Sequence, residues 1–182
     1  MELPLHRVNV LTGIKGAKII NDPKEYSRII KKSKRPLFVF GPRLLELSLN
    51  GKLLVEYAIE ISKAINAPIC ATSHIRGKMV ELQRVPESTY DLVEIINHLK
   101  DPDWKGVKKE GNHDLIIFFG IRTDLGEQGL STLKHFAPHL RTMTLCKYFY
   151  PNADYSLPNF RKDEEWKTFL EDLIENLKKK GE

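Results

Sequence analysis

The sequence predicts an α/β fold: a doubly wound, mostly parallel sheet with helices on both faces. Two observations lead to this prediction. Short apolar runs rich in aromatic and β-branched residues recur along the chain, and such runs are typical of strands that are covered on both faces. The segments between them repeat their apolar residues with helical spacing. Strands and helices in alternation imply parallel strands joined by right-handed crossovers.

The first helix is predicted to begin at Asp22. Pro23 then occupies the first helical position, and Glu25 stands three residues after the cap, as in a capping box. A basic run at residues 31–35 suits the carboxyl end of the helix, because cations there interact favourably with the helix dipole. Pro36 ends the helix and opens the first strand.

Four strands and five helices account for most of the chain. The first strand is RPLFVFGP, and a helix over residues 51–65 leads to the second, PICATS. A helix capped by Ser88 leads to DLIIFFGI, and a shorter helix around residues 130–137 leads to RTMTLCKYF. The last helix, over residues 164–180, carries apolar side chains at i, i+3, i+4 and i+7 without a miss.

Length and composition fit one globular domain. The chain has 182 residues, of which 41% are hydrophobic and 29% charged. We divide it into an N-terminal arm, residues 1–21, and a single Rossmann-like domain, residues 22–182. No apolar run approaches the roughly 20 residues that span a bilayer, and no secretion signal is evident, so a cytoplasmic protein without membrane contact is expected. The 29 basic and 24 acidic side chains are interleaved, which argues against nucleic-acid binding.

Metal and catalytic chemistry have little support in the sequence. Cys70 and Cys146 lie in apolar, strand-like segments and are expected to be buried thiols. His135 and His139 are four residues apart, but Pro138 is expected to break the helix that would align them. No G-x-S-x-G nucleophile elbow occurs. We therefore expect neither a metal site nor a catalytic residue in this chain.

The candidate binding residues lie in loops after the predicted strands, where open α/β sheets bind their ligands. Two glycine-bearing loops, residues 41–43 and 120–129, would let backbone amides approach a pyrophosphate near a helix N-terminus. Neither loop fits G-x-G-x-x-G, and Pro42 removes one amide donor. Solvated loop residues without a ligand are the alternative. The candidates for an FAD, nucleotide or anion site are Gly41, Arg43, His74, Gly120, Arg122, Thr123 and Gly126.

Three segments carry a resemblance to a known family: KGAKIINDPKEYSRIIKKSKRPLFVFGP, EYAIEISKAINAPICATSH and DLIIFFGI. They resemble the epsilon subunit of the archaeal acetyl-CoA decarbonylase/synthase complex, over most of the chain. The most specific part contains Gly16, Ala17 and Lys18, followed by the proline-capped helix and KRPLFVFGP. The resemblance implies a fold similar to deoxyhypusine-synthase-like NAD/FAD-binding domains. It also implies pairing with a large alpha subunit, which holds the nickel and iron-sulfur clusters, as an α2ε2 carbon monoxide dehydrogenase component.

The resemblance implies a non-catalytic accessory subunit that supports reversible CO oxidation in acetyl-CoA cleavage or synthesis, within archaeal one-carbon metabolism and methanogenesis. Its expected roles are to stabilise alpha and to assist electron transfer to FAD. The alternative is an independent flavin- or nucleotide-binding electron-transfer protein, in which Arg43 and Arg122 neutralise phosphates. An NAD-consuming enzyme of the sirtuin type is disfavoured, because the sequence shows no zinc-knuckle cysteines.

Overall fold

The computed structural model describes residues 15–179. Its helices are α1 (Pro23–Lys32), α2 (Arg43–Glu46), α3 (Leu54–Ala64), α4 (Ser73–Glu81), α5 (Leu92–Lys100), α6 (Thr123–Phe136) and α7 (Asp163–Lys178). Its strands are β1 (Lys18–Ile19), β2 (Pro36–Phe40), β3 (Ser48–Leu49), β4 (Lys52–Leu53), β5 (Ile69–Ala71), β6 (Ser88–Thr89), β7 (Leu115–Phe119), β8 (Arg141–Thr144) and β9 (Tyr155–Ser156). None of these helices is long and apolar enough to cross a membrane.

Seven of the strands form one sheet in the order β1-β9-β8-β7-β2-β5-β6. Every pair of neighbours in it is parallel. From β2 the chain moves outward through β5 and β6, and from β7 it moves outward on the other side through β8 and β9. The strand order therefore reverses between β2 and β7, which is the topological switch point of the sheet. The predicted doubly wound fold is confirmed.

Helices cover both faces of the sheet, as predicted. On one face, Phe38 and Phe119 belong to a core that includes buried residues of α1, α3 and α7. On the other face, Val39 and Phe118 pack in a core with α5 and α6. Successive residues of a strand point to opposite faces, so a strand between two helical layers must be apolar throughout. This is the physical reason for the continuous apolar runs in the sequence.

Strict alternation of strands and helices was wrong in two places. No helix separates β8 from β9, and the antiparallel hairpin β3–β4 precedes α3. The predicted fourth strand, RTMTLCKYF, ends at Thr144, and the rest of that segment forms a loop. Ser88 does not cap a helix, because it pairs with Cys70 in the edge of the sheet, and Asp91 caps α5 instead. A two-residue edge strand has too short a pattern to be seen in a sequence.

The helix predicted around residues 130–137 begins seven residues earlier, at Thr123. Gly126 and Gly129 suggested a loop there, but both are buried inside α6. A side chain at Gly129 would overlap Ile96 of α5, so glycine lets the two helices pack closely. The helix ends at Phe136, before Pro138, in agreement with the predicted break. A further helix, α4, was not predicted.

The N-terminal part of the described chain belongs to the sheet. Lys18 and Ile19 pair with Tyr155 and Ser156 of β9. Residues 15–21 are thus joined to the domain, whereas residues 1–14 of the predicted arm lie outside the described residues. Asp22 caps α1 as predicted, and its carboxylate accepts the N–H of Lys24 at 2.9 Å. Glu25 does not complete the capping box, because it pairs with Lys18 at 2.7 Å.

Candidate functional site

The carboxyl ends of the central strands β2 and β7 meet at Gly41 and Gly120. The Gly41 N–H donates to the Phe119 carbonyl at 2.9 Å, and the Arg43 N–H donates to the Gly120 carbonyl at 3.0 Å. A Cβ at Gly41 would overlap the Gly120 carbonyl oxygen, and one at Gly120 would overlap Leu44. Gly120 also has φ +71°, a conformation that favours glycine. These two glycines let the two loops pack closely against each other. The backbone N–H groups of Gly41 and Arg43, which were expected to bind a pyrophosphate, instead donate to carbonyls of the neighbouring strand end.

The amino end of α6 already faces a carboxylate. The Arg122 guanidinium donates to both oxygens of Asp124, with Nε–Oδ1 at 3.2 Å and Nη2–Oδ2 at 2.7 Å. Hydrogen bonds from Arg122 and from the Leu125 N–H lower the pKa of the Asp124 carboxyl group. The positive end of the helix dipole and the Arg122 charge are therefore both offset within the chain. An incoming phosphate at this helix would have to displace Asp124.

Thr123 and Gly126 contact a tyrosine that the sequence reasoning missed. The buried Tyr150 hydroxyl donates to the Ile121 carbonyl at 3.2 Å and lies 3.4 Å from the Thr123 hydroxyl. Burial raises the pKa of Tyr150 well above its ordinary value. A Cβ at Gly126 would lie 3.1 Å from the Tyr150 ring, so glycine makes room for that ring. Tyr150 thus fastens the loop after β7 to the segment after β8.

A cavity of about 290 Å³ opens beside the switch point. It lies between the loops after β2, β7 and β8 and the hairpin β3–β4. Its apolar wall includes Leu49, Leu54, Phe119 and Trp166. Its polar and aromatic lining includes Arg43, Thr123, Lys147, Tyr148 and Asp163. The volume is near the lower limit of the roughly 300–1,000 Å³ typical of small-molecule sites.

Among the described residues, one cation of the cavity lining has no carboxylate partner. Lys147 forms an ion pair with Asp163 at 2.8 Å, whereas no ion pair among residues 15–179 includes Arg43. The Cys146 thiol also lines the cavity, and burial raises its pKa, which favours the protonated form. The same part of the chain contains no group of three or more His, Cys, Asp and Glu residues that could hold a metal ion.

The structure brings only part of the predicted site together. Arg43, Gly120 and Thr123 line the cavity, while Gly41 and Gly126 are buried beneath it. Arg122 is exposed outside the lining, and His74 is exposed in the first turn of α4. Both cysteines are buried, as predicted. Tyr148 and Trp166 were missed, because Tyr148 was assigned to a strand and Trp166 to the core face of the last helix.

The rim of the cavity exposes apolar surface. Leu47 is 42% exposed and Tyr148 is 52% exposed, and both line the opening. Exposed apolar groups that adjoin one another are typical of surfaces that bind a partner. Tyrosine and arginine are also enriched in protein interfaces, and Arg43 stands in the same lining. This arrangement is therefore suited to binding a partner.

The fold defines the class of the protein as a doubly wound, Rossmann-like α/β domain. Its carboxyl edge has a small, partly apolar cavity, while the glycine loops are closed and carry no dinucleotide fingerprint. Comparison with known proteins identifies the family within this class.

A family model described as "CO dehydrogenase beta subunit/acetyl-CoA synthase epsilon subunit" matches residues 1–174. The chain is 41% identical over 164 residues to the acetyl-CoA decarbonylase/synthase complex subunit epsilon of Methanothermobacter thermautotrophicus, covering 90% of both proteins. It is 34% identical to subunit epsilon 1 of Archaeoglobus fulgidus, over 85% of this chain and 82% of that protein. The corresponding subunit of Methanothrix soehngenii is 32% identical, over 86% and 82%. The chain therefore belongs to the epsilon-subunit family of the acetyl-CoA decarbonylase/synthase complex, as its sequence predicted.

Proposed function

We propose that this chain is a non-catalytic subunit that binds and stabilises the nickel and iron-sulfur alpha subunit of a carbon monoxide dehydrogenase, in an α2ε2 arrangement. In this proposal it supports reversible CO oxidation during acetyl-CoA cleavage or synthesis without holding the metals. The observation that carries it is the exposed rim formed by Leu47 and Tyr148 beside Arg43. We place the contact with alpha at this rim.

The chemistry of the rim suits a protein partner. Leu47 and Tyr148 would remove apolar surface from water on docking, and each 100 Å² of such surface contributes about 2.5 kcal/mol before the costs of association. Within residues 15–179, Arg43 has no carboxylate partner, so its charge is available to a group from outside this chain. The two buried cysteines cannot supply the four thiolates of an iron-sulfur cluster.

Variants that introduce a negative charge at the rim test the docking surface. We expect Leu47→Glu and Tyr148→Glu to weaken binding to purified alpha at least tenfold, measured by biolayer interferometry, because each places a charge in an apolar contact. The matched control is Phe136→Glu, since Phe136 is 68% exposed at the far end of α6. Equal losses in all three variants, or no loss in the rim variants, would contradict the assignment of the rim.

The proposed stabilisation of alpha is tested by heat inactivation. Alpha should lose CO-oxidising activity more slowly on heating when the chain is present, and the rim variants should remove that protection. The isolated chain, mixed with CO and an electron acceptor, should give no turnover. Turnover by the chain alone, or unchanged inactivation of alpha, would refute this role even if the two proteins bind.

A role in electron transfer to FAD receives less support from the residues present. The elements that would hold a pyrophosphate are occupied, since Gly41 packs against Gly120 and Asp124 covers the amino end of α6. The cavity of about 290 Å³ is too small to enclose a whole dinucleotide. A complete FAD site therefore does not fit this chain by itself. We propose that Arg43 contributes to FAD binding only where the alpha surface completes the site.

Titration with FAD separates the two functional hypotheses. We expect no micromolar binding to the free chain, and binding to the complex that Arg43→Ala weakens. Micromolar binding to the free chain, weakened by Arg122→Ala, would instead favour the independent flavin- or nucleotide-binding electron-transfer protein. Arg122 serves as the comparison because Asp124 already pairs with it.

A further inference from the structure

A second cleft lies at the opposite edge of the sheet, where the strands begin. Its volume is about 350 Å³. The carboxyl end of α1, the turn after α3 and the connector before β7 form its walls. Pro36, Ile65 and Pro68 give it an apolar side. The volume falls within the range of small-molecule sites.

The cleft carries an excess of positive charge. Four cations line it, Lys31, Lys34, Arg35 and Lys108, together with one carboxylate, Glu110, so the lining carries a net charge of +3. Within residues 15–179, no ion pair includes any of these four cations. One of the four, Lys31, donates from Nζ to the carbonyls of Asn176 and Lys179 at the end of α7.

The nearby carboxylate of Asp114 does not neutralise Arg35. It accepts the backbone N–H groups of Lys34 and Arg35, each at 2.8 Å, and the hydroxyl of Ser33. The Arg35 guanidinium instead lies over Gly111, where a Cβ would overlap Nη1, and its hydrogen bond to the Asn112 carbonyl is long, at 3.4 Å. The glycine thus makes room for the guanidinium. Within residues 15–179 its other donors have no hydrogen-bond acceptor, so they can bind a ligand.

The wall that carries Lys108 is held in place by a buried histidine. His113 Nδ1 lies 3.1 Å from the Arg35 carbonyl, and Nε2 accepts the Val107 N–H at 3.3 Å. These contacts assign the proton to Nδ1 and keep the ring neutral. They tie the connector to the start of β2. The cations on the two sides of the cleft are therefore held on fixed backbone, which reduces the entropy cost of binding between them.

We propose that this cleft binds a phosphate group, either free or as a small organic phosphate. A phosphate monoester carries about −1.5 to −2 charges at neutral pH, so its charge is opposite to that of the lining. Arginine binds such groups through two parallel hydrogen bonds, and lysines add point charges. The apolar side of the cleft would receive the organic part. The site is at the edge opposite the docking rim, so it stands independently of the function proposed above.

Titration of the full chain with inorganic phosphate and with AMP tests the proposal. At low salt, two-dimensional NMR should show shifts of backbone amides in residues 33–35, 66–67 and 108–113 with both probes. Tighter binding of AMP would identify an organic phosphate as the ligand class, and equal binding would identify free phosphate. Absence of shifts in these residues with both probes would overturn the proposal.

Variants that remove one positive charge give the second part of the test. Lys108→Gln should weaken binding of AMP about tenfold, as loss of a charge-assisted hydrogen bond does. Lys32→Gln is the matched control, because Lys32 is exposed in the same part of the molecule but does not line the cleft. An equal loss in both variants would mean that only the overall charge attracts the anion, and it would overturn the assignment of a site. Arg35→Gln should also weaken binding of AMP. A denaturation curve of this variant checks that it is folded.

Discussion

The two edges of the parallel sheet differ in how they use their charged and apolar groups. At the carboxyl edge, Arg122 and Lys147 are paired with aspartates, and apolar side chains form the rim of the cavity. At the amino edge, four cations line a cleft, and none of them belongs to an ion pair within residues 15–179. Ligands of open α/β sheets usually bind at the carboxyl edge. Among the described residues, one unpaired cation, Arg43, lines the carboxyl-edge cavity, whereas four line the amino-edge cleft. The phosphate site that we propose therefore lies at the edge to which fold analogy does not point.

The largest effect on stability is expected from adding a side chain at the glycine contact of the carboxyl edge. Gly120→Ala places a Cβ against Leu44 at a residue with φ +71°, so we expect a loss of about 3 kcal/mol or more in the free energy of unfolding. Urea denaturation measures it. Gly77→Ala is the control, because a Cβ there meets open space in α4 and should stabilise the protein by about 0.5–1 kcal/mol. A Gly120→Ala protein of wild-type stability would show that the loops are not in tight contact.

At the amino edge we expect a pH-dependent effect from His113. Burial lowers the pKa of His113 below its ordinary value, so the unfolded chain binds more protons than the folded chain. This contribution to stability is present above about pH 6.5 and is lost as the pH falls through the lower pKa of the folded state. His113→Gln should cost about 1–3 kcal/mol at pH 7.5, through lost hydrogen bonds.

The His113→Gln variant should also lose less stability than the wild type between pH 7.5 and pH 5. Urea denaturation at both pH values gives the difference, and His135→Gln, which changes an exposed side chain, is the control. If the variant and the wild type lost the same unfolding free energy between pH 7.5 and pH 5, His113 would not be taking up a proton on unfolding.

A smaller effect is expected at Tyr150, which fastens the loops of the carboxyl edge. Tyr150→Phe keeps the ring but removes the hydrogen bond to the buried Ile121 carbonyl, which should cost about 1–2 kcal/mol in unfolding free energy. Because burial raises the pKa of the hydroxyl, this contribution is present at neutral pH and is lost only as the pH rises above about 10. Equal stability of the variant at pH 7 would show that the hydroxyl does not hold the loop.

Sequence patterns predicted the sheet better than its loops, for a physical reason. Strands such as β2 and β7 are buried on both faces, so burial makes each of their residues apolar, and the run can be read without the partner. The role of Gly120 depends on Leu44, and that of Gly129 depends on Ile96, each far away in sequence. Glycine in a sequence is therefore compatible with close packing as well as with a phosphate loop, and only the neighbours distinguish them.

The amino-edge cleft shows the same limit. The basic run at residues 31–35 was read as a favourable helix end, and α1 does end there. Lys108 comes from a connector that had no predicted structure, so its approach to Arg35 depends on the fold. The deoxyhypusine-synthase-like fold and the cytoplasmic location remain predictions.

The smallest effect is expected from Arg122, and it sharpens the contrast between paired and unpaired cations. Arg122 and its partner Asp124 are both exposed, so Arg122→Ala should leave the denaturation midpoint unchanged within experimental scatter. Its effect should appear on Asp124 instead. Because the Arg122 hydrogen bonds lower the pKa of Asp124, the variant should raise that pKa toward its ordinary value, which an NMR titration of the carboxyl group measures. An unchanged pKa would mean that the pair does not persist in solution, and Arg122 would then be available to an anion at the carboxyl edge after all.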